Sequence, residues 1–172
     1  MRLSTRSLRA AAVPLAALAL AVAALSSCSR GPRPVPALAE AEREDICEAA
    51  FKRLATSGMF AAGAESVLFL AMPGGADPSG AFMARCRSRL PGAEKASMAY
   101  RTGDAARQVR HRVTDRPGWL LRVSEPVRLD AGRVRVEAGY DGWSLGAGSC
   151  TYVLVRRGGR WEIAEEQRGP QA

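Results

Sequence analysis

The sequence predicts an α+β domain: N-terminal helices packed on a curved antiparallel sheet of about four to five strands. Three observations lead there. Helical apolar spacing is confined to the first half of the domain, alternating apolar and polar residues fill its last third, and a Gly-Gly pair joins two of the alternating runs. The domain spans residues 37–172, after a signal segment at 1–27 and a short tether at 28–36. The chain has 172 residues, 47% of them hydrophobic and 24% charged, the composition of one folding domain and not of a disordered tail.

The amino terminus carries Arg2, Arg6 and Arg9 with no acid, then runs apolar from Ala10 to Leu25. That is the layout of a secretory signal, and it is shorter than the ~20 residues a spanning helix needs. Leu25-Ser26-Ser27-Cys28 resembles the lipobox of bacterial lipoproteins, two small residues before a Cys whose thiol accepts the lipid. The resemblance implies cleavage before Cys28, a diacylglyceryl group on its sulfur and a further acyl chain on its amino group. One chain anchors marginally, whereas two or more anchor stably. Ser29 stands where the family's inner-membrane retention signal has Asp, so the outer membrane is the expected destination. Loss of residues 1–27 removes three arginines and leaves 145 residues with a net charge of about +5 in place of +8. Pro32, Pro34 and Pro36 then make the tether extended.

The first helix is expected from Ala37 to about Ser57, because Ile46, Cys47, Ala50, Phe51 and Leu54 form one helical stripe and Gly58 can cap its end. Glu40, Glu42, Glu44, Asp45 and Glu48 crowd its N-terminal half, as the helix dipole favours, and read as a solvated face. Residues 65–72 form a short β-prone run. Asp77-Pro78 then reads as N-cap and first-turn proline of a second helix through Phe82, Met83, Cys86 and Leu90. Gly74-Gly75 is a turn, because no Gly-Lys-Ser/Thr follows for a phosphate loop. Strand alternation follows at Val109, His111 and Val113, and then at Leu121, Val123, Val127 and Leu129, whose shared parity turns Glu125 inward. Val134, Val136, Ala138 and Tyr140 alternate with Arg133, Arg135 and Glu137, and Gly158-Gly159 closes a two-residue hairpin.

This order of elements resembles the cone-shaped folds related to nuclear transport factor 2 or cystatin, in which a curved sheet wraps a helix. Separately, Asp77-Pro78-Ser79 with Phe82, Gly139-Tyr140 ahead of Leu145, and Thr151-Tyr152-Val153 followed by Gly159-Arg160-Trp161 are similar to a group of small bacterial envelope proteins. That likeness covers most of residues 45–165 and implies no named activity.

Gly142-Trp143-Ser144-Leu145-Gly146 matches the G-x-S-x-G nucleophile elbow. The elbow's histidine must follow its serine along the chain, and the single His, His111, precedes it, so the segment reads as a hairpin loop. One His also excludes sites that need two imidazoles. Glu125 and His111 remain the acid/base candidates, on the argument that an inward carboxyl loses solvation. Arg110, Arg112, Arg122, Arg133 and Arg135 lie on outward parities, where they are expected to form one anion-binding sheet face; scattered surface arginine is the alternative. After lipidation of Cys28 three cysteines remain, and Cys47 and Cys86, both on helical stripes, can bridge the two helices or stay as buried thiols with Cys150. Their spacing fits no zinc pattern, and nothing in the sequence calls for a metal or a cofactor.

The expected role is a lipid-anchored, non-enzymatic envelope module that binds an anionic envelope ligand or a protein partner. An exported lipoprotein does not meet nucleic acid. The alternatives are a small cone-fold enzyme using Glu125 or His111, and an assembly or scaffold subunit with an exposed apolar patch.

Overall fold

Helix α1 (Glu40–Thr56) lays Ile46, Cys47, Ala50, Phe51 and Leu54 on the sheet, each fully buried, so the stripe read from the sequence is its packing face. The structure is a computed structural model that describes residues 36–57, 66–103, 108–142 and 146–171, all within the unit Val35–Ala172. The signal segment, Cys28, the tether through Val35, the Gly58 cap and Ser144 lie outside the described residues. Among the described residues no helix is long and apolar enough to cross a membrane.

Among the described residues nine strands follow: β1 (Val67–Ala71), β2 (Ala93–Lys95), β3 (Ala99–Arg101), β4 (Val109–His111), β5 (Gly118–Val123), β6 (Val127–Asp130), β7 (Arg133–Asp141), β8 (Ala147–Arg157) and β9 (Arg160–Gln171). Helix α2 (Gly80–Arg87) separates β1 from β2. Seven strands form one sheet in the order β2-β1-β5-β7-β8-β9, with β6 also on β7, and β3 and β4 make a separate ribbon. The architecture is therefore mixed α+β, with two corrections to the expectation. The sheet is larger than four to five strands and not wholly antiparallel, because β1 pairs in parallel with both β2 and β5. The helices do not both precede the sheet, since β1 lies between them. Parallel pairing needs a crossover, and α2 supplies it between β1 and β2. A parallel strand covered on both faces reads as an unbroken apolar run, and Val67-Leu68-Phe69-Leu70-Ala71 is buried throughout.

The main core lies between α1, α2 and the inner sheet face, with Leu121, Val134, Val136, Tyr152 and Leu154 fully or almost fully buried. A smaller core of Val67, Phe69 and Val109, with Met98, Ala99 and Leu120, seals the β3–β4 ribbon onto the outer face. The ribbon stops early: β4 ends at His111, and Val113 is 76% exposed in the turn beyond. The N-cap of α2 is Ser79, whose Oγ accepts from the Phe82 amide at 3.1 Å, and not Asp77. Asp77 instead accepts from the Ser97 hydroxyl (2.6 Å) and amide (2.9 Å), and those bonds hold its carboxyl below the usual carboxylate range.

The β5–β6 junction overturns a parity. From Val123 to Val127 the chain advances four residues, while their β7 partners, Ala138 and Arg135, are three apart. One residue is extra, as in a β-bulge, so Val127 and Arg128 exchange the faces that alternation predicts, and a second register shift follows between Arg128 and Asp130. Pro126 has no amide to donate, and Ser124 stands in for the ladder, its Oγ accepting from the Glu137 amide at 3.0 Å. Val127 (48% exposed) and Leu129 (41%) thus point outward instead of sharing the buried side of Leu121 and Val123. The β8–β9 hairpin does match its expectation, with Gly158 and Gly159 at φ +55° and +80°, the left-handed pair a type I′ turn requires.

Candidate functional site

The acids of α1 are not a solvated face. Glu48 holds two guanidinium groups of the α2 region, Arg85 Nε at 3.2 Å and Arg89 Nη1 at 2.8 Å, and its side chain is only 12% exposed. Glu44 accepts from Arg85 at 3.2 Å and from the Ser79 hydroxyl at 3.0 Å. These pairs join the two helices along one seam. Beside it a cleft of about 480 Å³ opens between α1, α2 and the β8–β9 turn. Lys52 extends from α1, and Arg160 and Trp161 reach in from the Gly158-Gly159 turn. Lys52 and Arg160 are exposed and form no ion pair with a described residue, so their charges are available to a ligand. Trp161, mostly buried, gives the cleft an aromatic wall.

The cleft lining contains no histidine and no cysteine, and its one hydroxyl, Ser88 Oγ, donates to the Arg85 carbonyl at 2.7 Å. The cleft sets four cations, Lys52, Arg85, Arg89 and Arg160, against three carboxylates, Asp45, Glu48 and Glu162, beside an apolar ring, a small excess of positive charge that can take an anion with an apolar portion.

The residues singled out from the sequence lie elsewhere. Glu125 is not inward: it sits in the β5–β6 link, 56% exposed, paired with Arg43 at 2.6 Å. The acid/base role argued from its burial is withdrawn. His111 is half-buried against Phe69, and its Nδ1 accepts from the amides of Val113 (3.2 Å) and Thr114 (3.1 Å), which makes it a turn cap. Glu125 and His111 share no contact in common.

The five arginines do not make one anion-binding face. Arg110 is held by Asp115 at 2.9 Å and by Gln108, and Arg112 donates to the carbonyls of Ser97 and Ala99, both on the β3–β4 ribbon. Arg122 and Arg101 converge on Asp141 at 2.7 and 2.5 Å. Arg133 lies near Asp130 and Glu165, at 4.0 and 3.8 Å. Of the five, Arg112 and Arg135 have no ion pair with a described residue, and Arg112 is spent on those two carbonyls.

The elbow pattern has a packing explanation. Ser144 is outside the described residues, but the strands that flank it, β7 and β8, are antiparallel neighbours in register from Asp141↔Ala147 onward. A nucleophile elbow needs a strand leading into a helix. The two glycines make room for Trp119: a Cβ on Gly142 would stand 1.9 Å from its ring and one on Gly146 2.8 Å.

Cys47, Cys86 and Cys150 are free, buried thiols, so of the two alternatives for Cys47 and Cys86 the structure has the thiols and not the bridge. Burial pushes the Cys47 and Cys86 thiols up to about 12, and a protonated, enclosed sulfur is a poor partner for thiol exchange. The folded chain therefore keeps protons that the unfolded chain releases above about pH 9. The stabilising contribution is complete below that pH and is lost as pH rises toward 12. Urea midpoints at pH 7.5 and 10.5 are expected to fall more for the wild type than for Cys47→Ala; equal falls would refute the linkage.

The cleft itself escaped the sequence reading, because its cations come from segments more than a hundred residues apart. The signal that could have found it was the pairing of an acidic helix face with Arg85 and Arg89, four residues apart on the next helix. Comparison with protein-family models, curated proteins and solved structures returns no match to the chain.

Proposed function

We propose that the chain is a lipid-anchored protein of the bacterial cell envelope, held through Cys28 in the outer membrane, whose domain works by binding and not by catalysis. The Leu25-Ser26-Ser27-Cys28 sequence supports the anchor. The cleft supports the binding role: Lys52 and Arg160 at its edge form no ion pair with a described residue and suit an anionic envelope ligand. Helix α1 lying across β5, β7 and β9 supports a cone-like reading of the antiparallel half of the sheet.

The anchor has an all-or-none test. Cys28→Ser is expected to abolish incorporation of labelled fatty acid and to leave the precursor uncut by the lipoprotein peptidase, whereas wild type is labelled and shortened. A wild-type mature chain that starts away from Cys28 and carries no lipid would defeat the anchor. For the cleft, Lys52→Glu with Arg160→Glu is expected to lose anionic lipid or lipopolysaccharide recovered with the wild-type protein from envelope extracts. Equal recovery by both would count against the cleft.

A further inference from the structure

The end of the domain that receives the tether also carries an uncovered face of mixed apolar and cationic character. The link between the two is Glu42, in the first turn of α1. Its carboxylate takes Arg128 of β6 at 2.6 Å and Arg156 at the end of β8 at 3.5 Å. The Arg156 amide also donates to the Gly132 carbonyl at 2.9 Å, which brings the β6–β7 and β8–β9 turns together. Arg128 turns inward to the helix, while Val127 and, at the register shift between Arg128 and Asp130, Leu129 are exposed. They are two of the three large hydrophobic side chains exposed among the described residues; the third, Val113, lies at the opposite end of the strands.

The register continues the face. Val127 stands opposite Arg135, Arg135 opposite Val153 and Arg133 opposite Val155, with the two valines half-buried. On β9 Glu165 stands opposite Val153 and near Arg133, and Glu162 stands opposite Val155, but Arg135 and Arg157, the latter beside the Gly158-Gly159 turn, pair with no described carboxylate. Exposed aliphatic side chains beside unneutralised arginines suit a bilayer surface, where apolar groups enter the headgroup boundary and cations meet lipid phosphate. The tether adds proximity. From Cys28 to Pro36 it spans roughly 30 Å at full extension, less than the diameter of a domain of this size.

We infer that Val127, Leu129, Arg135 and Arg157 form a membrane-docking face that lays the domain against an anionic bilayer surface at its tethered end. The inference rests on the proposed lipid anchor. The occupant is a lipid surface and not a second copy of the chain, because the apolar pair, the free cations and the arriving tether share one end of the molecule.

The test uses the whole lipoprotein, purified in detergent and reconstituted into vesicles of phosphatidylethanolamine with phosphatidylglycerol, 3:1. An environment-sensitive dye is placed on Leu129→Cys, on Val127→Cys as a second position, and on Val113→Cys as the far-end control. Buried Cys47, Cys86 and Cys150 are shielded from the dye under native conditions. Dyes at 127 and 129 are expected to shift to the blue and to be quenched by quencher-bearing lipid at least twofold more than the dye at 113. Arg135→Glu with Arg157→Glu, or phosphatidylcholine vesicles, is expected to remove most of that difference. Equal quenching at all three positions in protein that floats with the vesicles overturns the face and leaves the anchor standing. Protein that does not float overturns the anchor reading and the inference with it. A blue shift at 129 that grows with protein concentration and resists lipid quenchers assigns the face to a second copy and overturns the membrane.

Discussion

Phe51→Ala is expected to cost about 3–5 kcal/mol of folding stability. Phe51 is fully buried at the centre of α1 and meets Phe82 of α2 edge-on, with ring centroids 6.2 Å apart and planes at 74°. Truncation leaves a cavity between two helices and the sheet and removes an aromatic pair worth about 0.5–1.5 kcal/mol beyond its buried area. Against the ~5–15 kcal/mol of a typical domain, that is a large share of the total. Urea unfolding of the detergent-solubilised protein measures it, with Val113→Ala as the exposed control expected within about 0.5 kcal/mol of wild type. A loss below about 1 kcal/mol for Phe51→Ala would mean that α1 does not dock as described. Phe82→Ala and the double variant complete a cycle in which the two losses are expected to be non-additive, because the rings touch.

Gly142→Ala is the second large effect, at about 2–3 kcal/mol, as overpacking of a filled site. Its Cβ would fall 1.9 Å from the Trp119 ring, whose other neighbour is Tyr140, edge-on with centroids 5.9 Å apart. The indole has to swing outward, so tryptophan emission is expected to shift to the red along with the loss of stability. Gly146→Ala, with its nearest approach at 2.8 Å, is expected to cost less. Trp119→Ala should relieve the clash, so that adding Gly142→Ala on that background costs under about 0.5 kcal/mol. If Gly142→Ala remains costly without the indole, the glycine serves something other than Trp119. This pair of variants tests why a chain with no histidine after Ser144 nonetheless carries the spelling of a nucleophile elbow.

Both arguments concern places where local pattern and tertiary contact have different standing. The α1 stripe, the β7 alternation from Val134 to Tyr140 and the Gly158-Gly159 turn were legible from residues a few positions apart. Each depends on a period or a dihedral that neighbours along the chain set by themselves. The Gly142-x-Ser144-x-Gly146 segment was legible as a poor match to a nucleophile elbow for a similar reason, since the order of Ser144 and His111 along the chain is itself a sequence fact. The cause of its glycines was not, because Trp119 reaches them from another strand.

The sequence by itself determined the mixed helix and strand content and the buried faces of α1, α2 and β7. Only the tertiary structure decided the parallel placement of β1 between β2 and β5, the use of the α1 acids to hold Arg85 and Arg89, and the cleft those contacts border. It also decided the fate of Glu125. Alternation predicts a face only while the ladder stays in step, and a single extra residue beside Pro126 resets it. That residue turned an inward carboxyl into an exposed partner of Arg43 and turned Val127 out to the surface. The physical reason is common to all these cases: a period of two or 3.6 is a property of neighbouring residues, whereas register, crossover and charge pairing are set by strands and helices that meet only when the chain closes on itself.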